Sequence, residues 1–196
     1  MVQKLRNFLG VFICSSILLM APIGISYAQQ PALAKTITEN DLNKIKVYAK
    51  IADMYKRLSI FHEQIGDIHV LIGHSAMELS YYQERYLTNI LLPETLLEGL
   101  NPIHASIQKD VNKITQEAAK YGLNVSNMNV FMSQYSKALV LEKESINKLY
   151  VLYATPTDQN KKVFWDISNK AWDTSFNAKL AADKSYTEYL NKILQY

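Results

Sequence analysis

The sequence predicts an all-α protein, an elongated antiparallel bundle of three to four long helices with a small apical helical lobe. Three observations support this fold class. Apolar residues recur at steps of three and four along several long segments, which is the period of a helix with one buried face. Residues that begin or end helices separate those segments, and no segment of useful length alternates with the period of a strand.

The longest segment runs from Asp41 to Ile90 and contains no proline. A continuous helix of this length would extend about 70 Å and would need other helices alongside to cover its apolar face. Thr36-x-x-Glu39 and Thr38-x-x-Asp41 both match a capping box, so we expect the helix to begin there. The residues predicted on its apolar face are Leu42, Ile45, Ala49, Ala52, Leu58, Phe61, Ile65, Ile68, Ile72, Ala76, Leu79, Tyr86 and Ile90.

Two glycines, Gly66 and Gly73, lie seven residues apart inside this predicted helix. They indicate either a close approach of a second helix or a hinge, and interior glycines more often have a packing reason.

The segment from about Leu91 to Pro102 is predicted to form the apical lobe. Pro93 suits the first turn of a short helix, Gly99 would end it, and Asn101 with Pro102 would begin the next one. The leucines of the lobe either close the end of the core or form an exposed interface. They are Leu91, Leu92, Leu96, Leu97 and Leu100.

Three further helices are predicted. One carries the apolar stripe from Ile103 to Tyr121 and ends at Gly122-Leu123, and the next begins at Ser126 and reaches Tyr153. The last runs from about Gln159 to Gln195 after a cap at Thr157 or Asp158, with small residues lining its middle from Ala171 to Ser185. Small side chains let another backbone come close, and the facing residues are predicted to be Phe61, Ile65 and Ile68.

Residues 1–28 read as a cleaved signal peptide: Lys4 and Arg6 precede an apolar run that ends in Ser26-Tyr27-Ala28. Cys14 is not preceded by the small residues of a lipoprotein signal. Residues 29–38 are predicted to be a flexible lead-in and residues 39–196 a single helical-bundle domain. The expected location is therefore the periplasm, a pilus or the cell surface.

The mature chain would be almost neutral, because removal of Lys4 and Arg6 leaves 19 basic against 18 acidic residues. No dense basic block is present, so no nucleic-acid partner is predicted. The mature chain also has no apolar run of the roughly 18 residues that a membrane-spanning helix requires.

No catalytic or metal motif is present, so a non-enzymatic protein without cofactor or metal is expected. The four histidines, His62, His69, His74 and His104, lack the spacing of a helical metal site and are interpreted as solvated or hydrogen-bonded. Glu142 and Glu144 lie among lysines and are interpreted as a solvated helix face.

Aromatic residues are the remaining candidates for a contact surface. Tyr81, Tyr82 and Tyr86 cluster near the end of the first predicted helix, and Trp165 and Trp172 lie seven apart in the last. Tyr81 and Tyr82 are adjacent on a helix and cannot both face inward. The predicted partner-contact residues are Tyr81, Tyr82, Leu92, Leu96, Leu97 and Leu100.

Two segments carry a family resemblance. Thr157-Asp158-Gln159-Asn160-Lys161 opens the terminal amphipathic helix within Leu149–Tyr196, and Tyr86-Leu87-Thr88 precedes the predicted lobe. With the export signal and the long first helix, the chain resembles the minor pilins of type IV secretion systems, the TraC-like subunits at the pilus tip. The resemblance implies a role in pilus assembly or host-cell adhesion, with other pilus or secretion-system subunits and a host-cell surface protein as partners.

Two other functions stay open from the sequence. One is a membrane-active helical toxin or surface effector, and the other is a periplasmic helical bundle that handles a small ligand or a metal.

Overall fold

The computed structural model describes residues 37–82 and 86–196, and all regular secondary structure within them is helical. Helix α1 spans Glu39–Met77 and continues as a π-helical turn over Glu78–Tyr82. Helix α2 spans Thr88–Ala119, α3 spans Asn127–Ala154 and α4 spans Asp158–Leu194. The all-α prediction is confirmed. The predicted signal peptide and residues 29–36 of the predicted lead-in lie outside the described residues.

Neighbouring helices run in opposite directions, as the contacts along their lengths show. Lys50 contacts Glu117 and Arg57 contacts Asp110, so the end of α2 lies beside the first half of α1. The contacts of α1 with α4 and of α2 with α3 follow the same antiparallel order: Tyr48 with Tyr189, Gly73 with Trp165, Glu94 with Tyr150, and Gln108 with Asn129.

Helices α1 and α3 run in the same direction and meet across the diagonal of the bundle. The Tyr55 hydroxyl donates to Asn127 Oδ1 at 2.5 Å, and His69 Nδ1 lies 2.8 Å from Glu142 Oε1. Burial of Tyr55 raises the pKa of its phenol to about 12. Helix α1 therefore contacts each of the other three helices, and its buried face is the centre of the core.

The closest packing in the bundle joins α4 to α1 and α3. Small residues make this approach possible, and α4 buries a stripe of Ser168, Ala171, Ser175, Ala178, Ala182 and Ser185. The predicted facing residues Phe61, Ile65 and Ile68 are buried on α1. The predicted small-residue stripe is confirmed.

The two glycines of α1 make room for the two tryptophans of α4. A Cβ atom at Gly66 would lie 3.2 Å from Cζ3 of Trp172, and one at Gly73 would lie 3.8 Å from Cη2 of Trp165. Both glycines lie within the uninterrupted helix α1. The packing of both glycines against tryptophans agrees with the close-approach interpretation.

The prediction of one helix from Asp41 to Ile90 is wrong at its C-terminal end. Helix α1 ends at Met77, and Ile90 is buried as part of α2. Tyr86, predicted on the same apolar face, is 60% exposed, and Leu42 and Ala49 near the start are exposed too. The apolar spacing continues past the end of α1 because Ile90 enters the same core from the next helix.

The predicted apical lobe is also wrong. Residues 91–102 belong to α2, which passes through Pro93, Gly99 and Pro102 without ending. Proline inside a helix removes a hydrogen bond and costs about 3 kcal/mol. Here a single buried stripe crosses both prolines, and it includes Ile90, Leu97, Leu100, Ile107 and Val111. We infer that packing of this stripe against the core outweighs the local preference to stop.

Most predicted helix ends are confirmed. Thr38 caps α1 in a capping box with Asp41, and the Thr157 hydroxyl accepts from the Asn160 N–H at the start of α4. Gly122 has φ +68° after α2, and the Leu123 N–H donates to the Ala118 carbonyl at 3.1 Å. Ser126 stands at the N-cap of α3, but its side chain makes no capping hydrogen bond.

Candidate functional site

The end of α1 carries the most exposed aromatic residues of the described chain. Where α1 widens into the π-helical turn, Leu79 still enters the core, while Tyr81 and Tyr82 are 67% and 71% exposed. Adjacent helical residues point in directions about 100° apart, so a turn that buries Leu79 leaves both tyrosines outward. Short π-helical turns often occur at functional sites.

The start of α2 adds aliphatic residues to the same end of the bundle. Tyr86 and Leu87 precede the helix, and Leu91 and Leu92 follow on its outer side, all of them exposed. We call Tyr81, Tyr82, Tyr86, Leu87, Leu91 and Leu92 the exposed end surface.

Contacts with α1 and α4 place this surface at one end of the bundle. Leu92 lines a groove of about 430 Å³ together with His74 and Glu78 of the α1 end. The Lys161 ammonium, in the first turn of α4, lies 5.5 Å from the centre of the Tyr81 ring. The start of α4 therefore reaches the end at which α1 stops.

Three of the six predicted partner-contact residues lie on this surface: Tyr81, Tyr82 and Leu92. The other three do not. Leu97 and Leu100 are only 5% and 6% exposed, and Leu96 is half-buried against the core. Because the predicted lobe is part of α2, its leucines follow a helical period, and the inner ones fill the core instead of forming an interface.

Three members of the exposed end surface, namely Tyr86, Leu87 and Leu91, are not among the six predicted partner-contact residues, although Tyr86 and Leu91 belong to the wider sets of candidates. The overlong first helix predicted from the apolar spacing places Tyr86 on a buried face. The signal that could have found them is the short distance in sequence between Tyr81-Tyr82 and Leu91-Leu92. A tight turn between two antiparallel helices would bring these pairs together.

A second feature is a polar group in the centre of the core. Glu142 of α3 is fully buried, and its Oε1 lies 2.8 Å from Nδ1 of His69 on α1. Its Oε2 makes no hydrogen bond within the described residues. Burial raises the pKa of Glu142, and His69 opposes part of that rise. The prediction that Glu142 lies on a solvated face is wrong, whereas Glu144 is exposed.

Trp172 of α4 lies over Gly66 and beside two histidines of α1. Its ring centre is 5.1 Å from that of His62 and 5.2 Å from that of His69, and Phe176 stacks on it at 5.7 Å. His62 is 3% exposed, and among the described residues its Nδ1 has no hydrogen-bond partner. Burial, with the nearby Lys179 ammonium, lowers the pKa of His62 to about 4. His62 is therefore a neutral core residue, unlike the solvated or hydrogen-bonded histidine predicted.

The other histidines follow the prediction. His69 is paired with Glu142, and His104 Nε2 lies 2.9 Å from the Ser136 hydroxyl. His74 is exposed beside the groove at the exposed end surface. Within residues 37–82 and 86–196, no three His, Cys, Asp or Glu side chains converge as metal ligands.

The described helices include none that is both long and apolar enough to cross a bilayer. Comparisons with protein-family models, with curated proteins and with solved structures find no match to this chain. The resemblance to minor pilins therefore stays a prediction from the sequence.

Proposed function

We propose that this chain is an exported, non-enzymatic protein that acts through contacts made by the exposed end surface. Its proposed setting is the tip of a type IV secretion or conjugation pilus, where the chain would be a minor subunit. The observation that carries the proposal is the concentration of three tyrosines and three leucines at one end of the bundle, where α1 stops.

The chemistry of this surface suits a protein partner. Tyrosine contributes a large rigid area with little loss of side-chain entropy, and contiguous apolar side chains at a surface often mark an interface. The core behind it is tightly packed, since Leu79 of the π-helical turn and Ile90 of α2 are 1% and 0% exposed. A surface at the end of a helical bundle can contact the next subunit of a pilus or a host-cell protein.

The proposal is tested in cells that carry the protein's own secretion system. We expect Tyr82→Ser combined with Leu92→Ser to reduce substrate transfer and recovery of the chain in sheared pilus fractions by about tenfold or more, as expected for central interface residues. The matched control is Val140→Ser combined with Leu180→Ser, which changes two residues of similar exposure on α3 and α4. Equal transfer by both double variants would contradict the proposal.

Two further measurements distinguish the pilus from other settings. The gene should lie among genes for secretion ATPases and an inner-membrane channel. Purified protein should not release dye from liposomes; release that depends on Tyr82 and Leu92 would instead support the membrane-active alternative.

A further inference from the structure

Helix α2 is held differently from the other three helices. Helices α1, α3 and α4 also contact one another directly, because α1 and α3 touch beneath the buried stripe of α2. The Phe61 and Tyr135 rings meet edge to face with their centres 5.6 Å apart, and the Tyr55 hydroxyl bonds Asn127. Helix α2 packs against α1 and α3 less closely than α4 does.

The ion pairs that fasten α2 to α1 are exposed to solvent. Lys50 Nζ lies 2.6 Å from Glu117 Oε1, with the two side chains 55% and 36% exposed. Arg57 reaches Asp110 at 3.1 Å, and both side chains are about one-third exposed. The pairs are seven residues apart on both helices, so they form a ladder along one edge. Ion pairs of this exposure add little stability.

Open grooves flank the middle of α2 on both sides, at the height of Pro102. One groove, of about 400 Å³, separates Ile103 from Ile60 and Phe61 of α1. The other, of about 350 Å³, lies between Asn101 of α2 and Val140 of α3, beside the contact of His104 with Ser136. Pro102 also removes one backbone hydrogen bond from this part of α2. Solvent therefore reaches both sides of the middle of α2, where buried Ile107 and the contact of His104 with Ser136 hold the helix to its neighbours.

From these features we propose that α2 is a displaceable helix, which moves off a three-helix core that stays folded. Its movement would uncover Phe61, Leu139 and the Tyr135 edge, and would shift Leu87, Leu91 and Leu92 of the exposed end surface. The regulation of partner contact that follows rests on the proposed function; the displacement itself does not.

Hydrogen exchange on the full chain tests the displacement. Amides in the middle of α2 should exchange about tenfold faster or more than amides in the middle of α4, because opening of α2 does not require global unfolding. Equal protection of the two helices would overturn the inference.

Charge variants test whether the exposed ladder holds α2 in place. Arg57→Glu places like charges beside Asp110 and should speed α2 exchange a further ~2- to 5-fold, with α4 amides unchanged. Combining it with Asp110→Arg should restore the slower rate. The control is Lys170→Glu, the same charge reversal at an exposed position of α4. If Arg57→Glu sped exchange in all four helices equally, α2 would not open separately.

A chemical tether tests the same motion in the opposite direction. Cysteines replacing Lys50 and Glu117, in a Cys14→Ser background, can be joined by a short bismaleimide. The tether should slow α2 exchange to the level of α4. Hydrogen exchange reports the opening of α2 and not the pilus function. Fast α2 exchange together with full pilus activity of the Tyr82→Ser, Leu92→Ser double variant would therefore overturn the proposed function alone. Slow α2 exchange together with loss of that activity would overturn the displacement alone.

Discussion

The contact of glycine with tryptophan on the α1–α4 interface makes a prediction at the scale of single residues. Gly73→Ala should raise the free energy of unfolding by about 0.5–1 kcal/mol, because alanine favours the helix and its Cβ would meet Trp165 at an ordinary distance of 3.8 Å. Gly66→Ala should leave the free energy of unfolding unchanged or lower it by about 1 kcal/mol, because its Cβ would lie only 3.2 Å from the Trp172 ring.

Urea unfolding of the two alanine variants measures this difference. Each variant serves as the control for the other, because the two glycines occupy the same helix one heptad apart. If Gly66→Ala stabilised the protein as much as Gly73→Ala, the Trp172 ring would have to be free to shift. Its packing against His62, His69 and Phe176 argues against that freedom.

Buried Glu142 makes a second prediction at this scale. Burial raises the pKa of this carboxyl above its ordinary value of 4.5. As the pH rises past 4.5, the unfolded chain therefore loses the proton first, and stability falls until the folded carboxyl ionises too. A glutamine side chain cannot ionise, so Glu142→Gln should become more favourable relative to wild type at pH 7 than at pH 4.

Unfolding midpoints of wild type and Glu142→Gln at pH 4 and pH 7 show whether the variant gains stability relative to wild type as the pH rises. Glu144→Gln, two residues away and exposed, should show no comparable change between the two pH values. A Glu142→Gln variant that lost more stability at pH 7 than at pH 4 would mean that the charged pair with His69 is a net stabiliser.

At the scale of elements, the glycine inside α2 and the glycine in the turn after it should respond in opposite directions. Gly122 has φ +68°, a conformation that costs other residues about 1 kcal/mol, so Gly122→Ala should destabilise the protein by that amount. Gly99 lies on the exposed side of α2, and a Cβ atom there would meet no other atom within 4 Å. Gly99→Ala should therefore add about 0.5–1 kcal/mol. Thermal unfolding of both variants measures the contrast, and stabilisation by Gly122→Ala would show that the turn can rearrange.

The helix ends show how much of the fold can be read from local sequence. The predicted last helix, from about Gln159 to Gln195, differs from α4 by one residue at each end. Its ends are marked by a capping threonine and by the loss of the apolar period. The predicted end of α1 is wrong because Ile90 continues the apolar spacing from the next helix. The predicted lobe depends on proline and glycine, whose local preferences yield in α2 to packing against a core made elsewhere in the chain.

Local sequence also predicts the exposed tyrosines of the candidate surface better than it predicts the burial of Glu142. Exposure of at least one of Tyr81 and Tyr82 follows from helical geometry alone, and the structure exposes both. Burial of Glu142 depends on His69, which lies 73 residues earlier in the chain, so the neighbouring lysines indicate the wrong environment. Local charge patterns report a solvated face only where no distant helix covers the residue.

At the scale of the whole molecule, one buried histidine couples the core to pH. The pKa of His62 is lowered to about 4 from an ordinary 6.5, mainly by burial and also by Lys179, while Asp183 opposes that shift. As the pH falls, His62 therefore takes up its proton near pH 6.5 in the unfolded chain but only near pH 4 in the folded chain. This proton uptake by itself should lower stability across the window by at most about 3 kcal/mol, and the titration of Glu142 contributes in the opposite direction.

His62→Leu should remove this part of the acid sensitivity and narrow the difference in melting temperature between about pH 7 and about pH 4.5, which lie on either side of the window. His74→Leu, an exposed histidine on the same helix, should leave that difference unchanged. Comparing the two variants isolates the contribution of His62 to the pH dependence, because every titrating group other than these two histidines is present in both. Asp110 and Asp183 have lowered pKa values and titrate below this window. An unchanged difference in His62→Leu would mean that the core accepts the proton without opening. Trp172 and Phe176 of α4 cover His62. A narrowed difference in melting temperature would therefore show that this part of the acid sensitivity arises at the α1–α4 interface and not at α2.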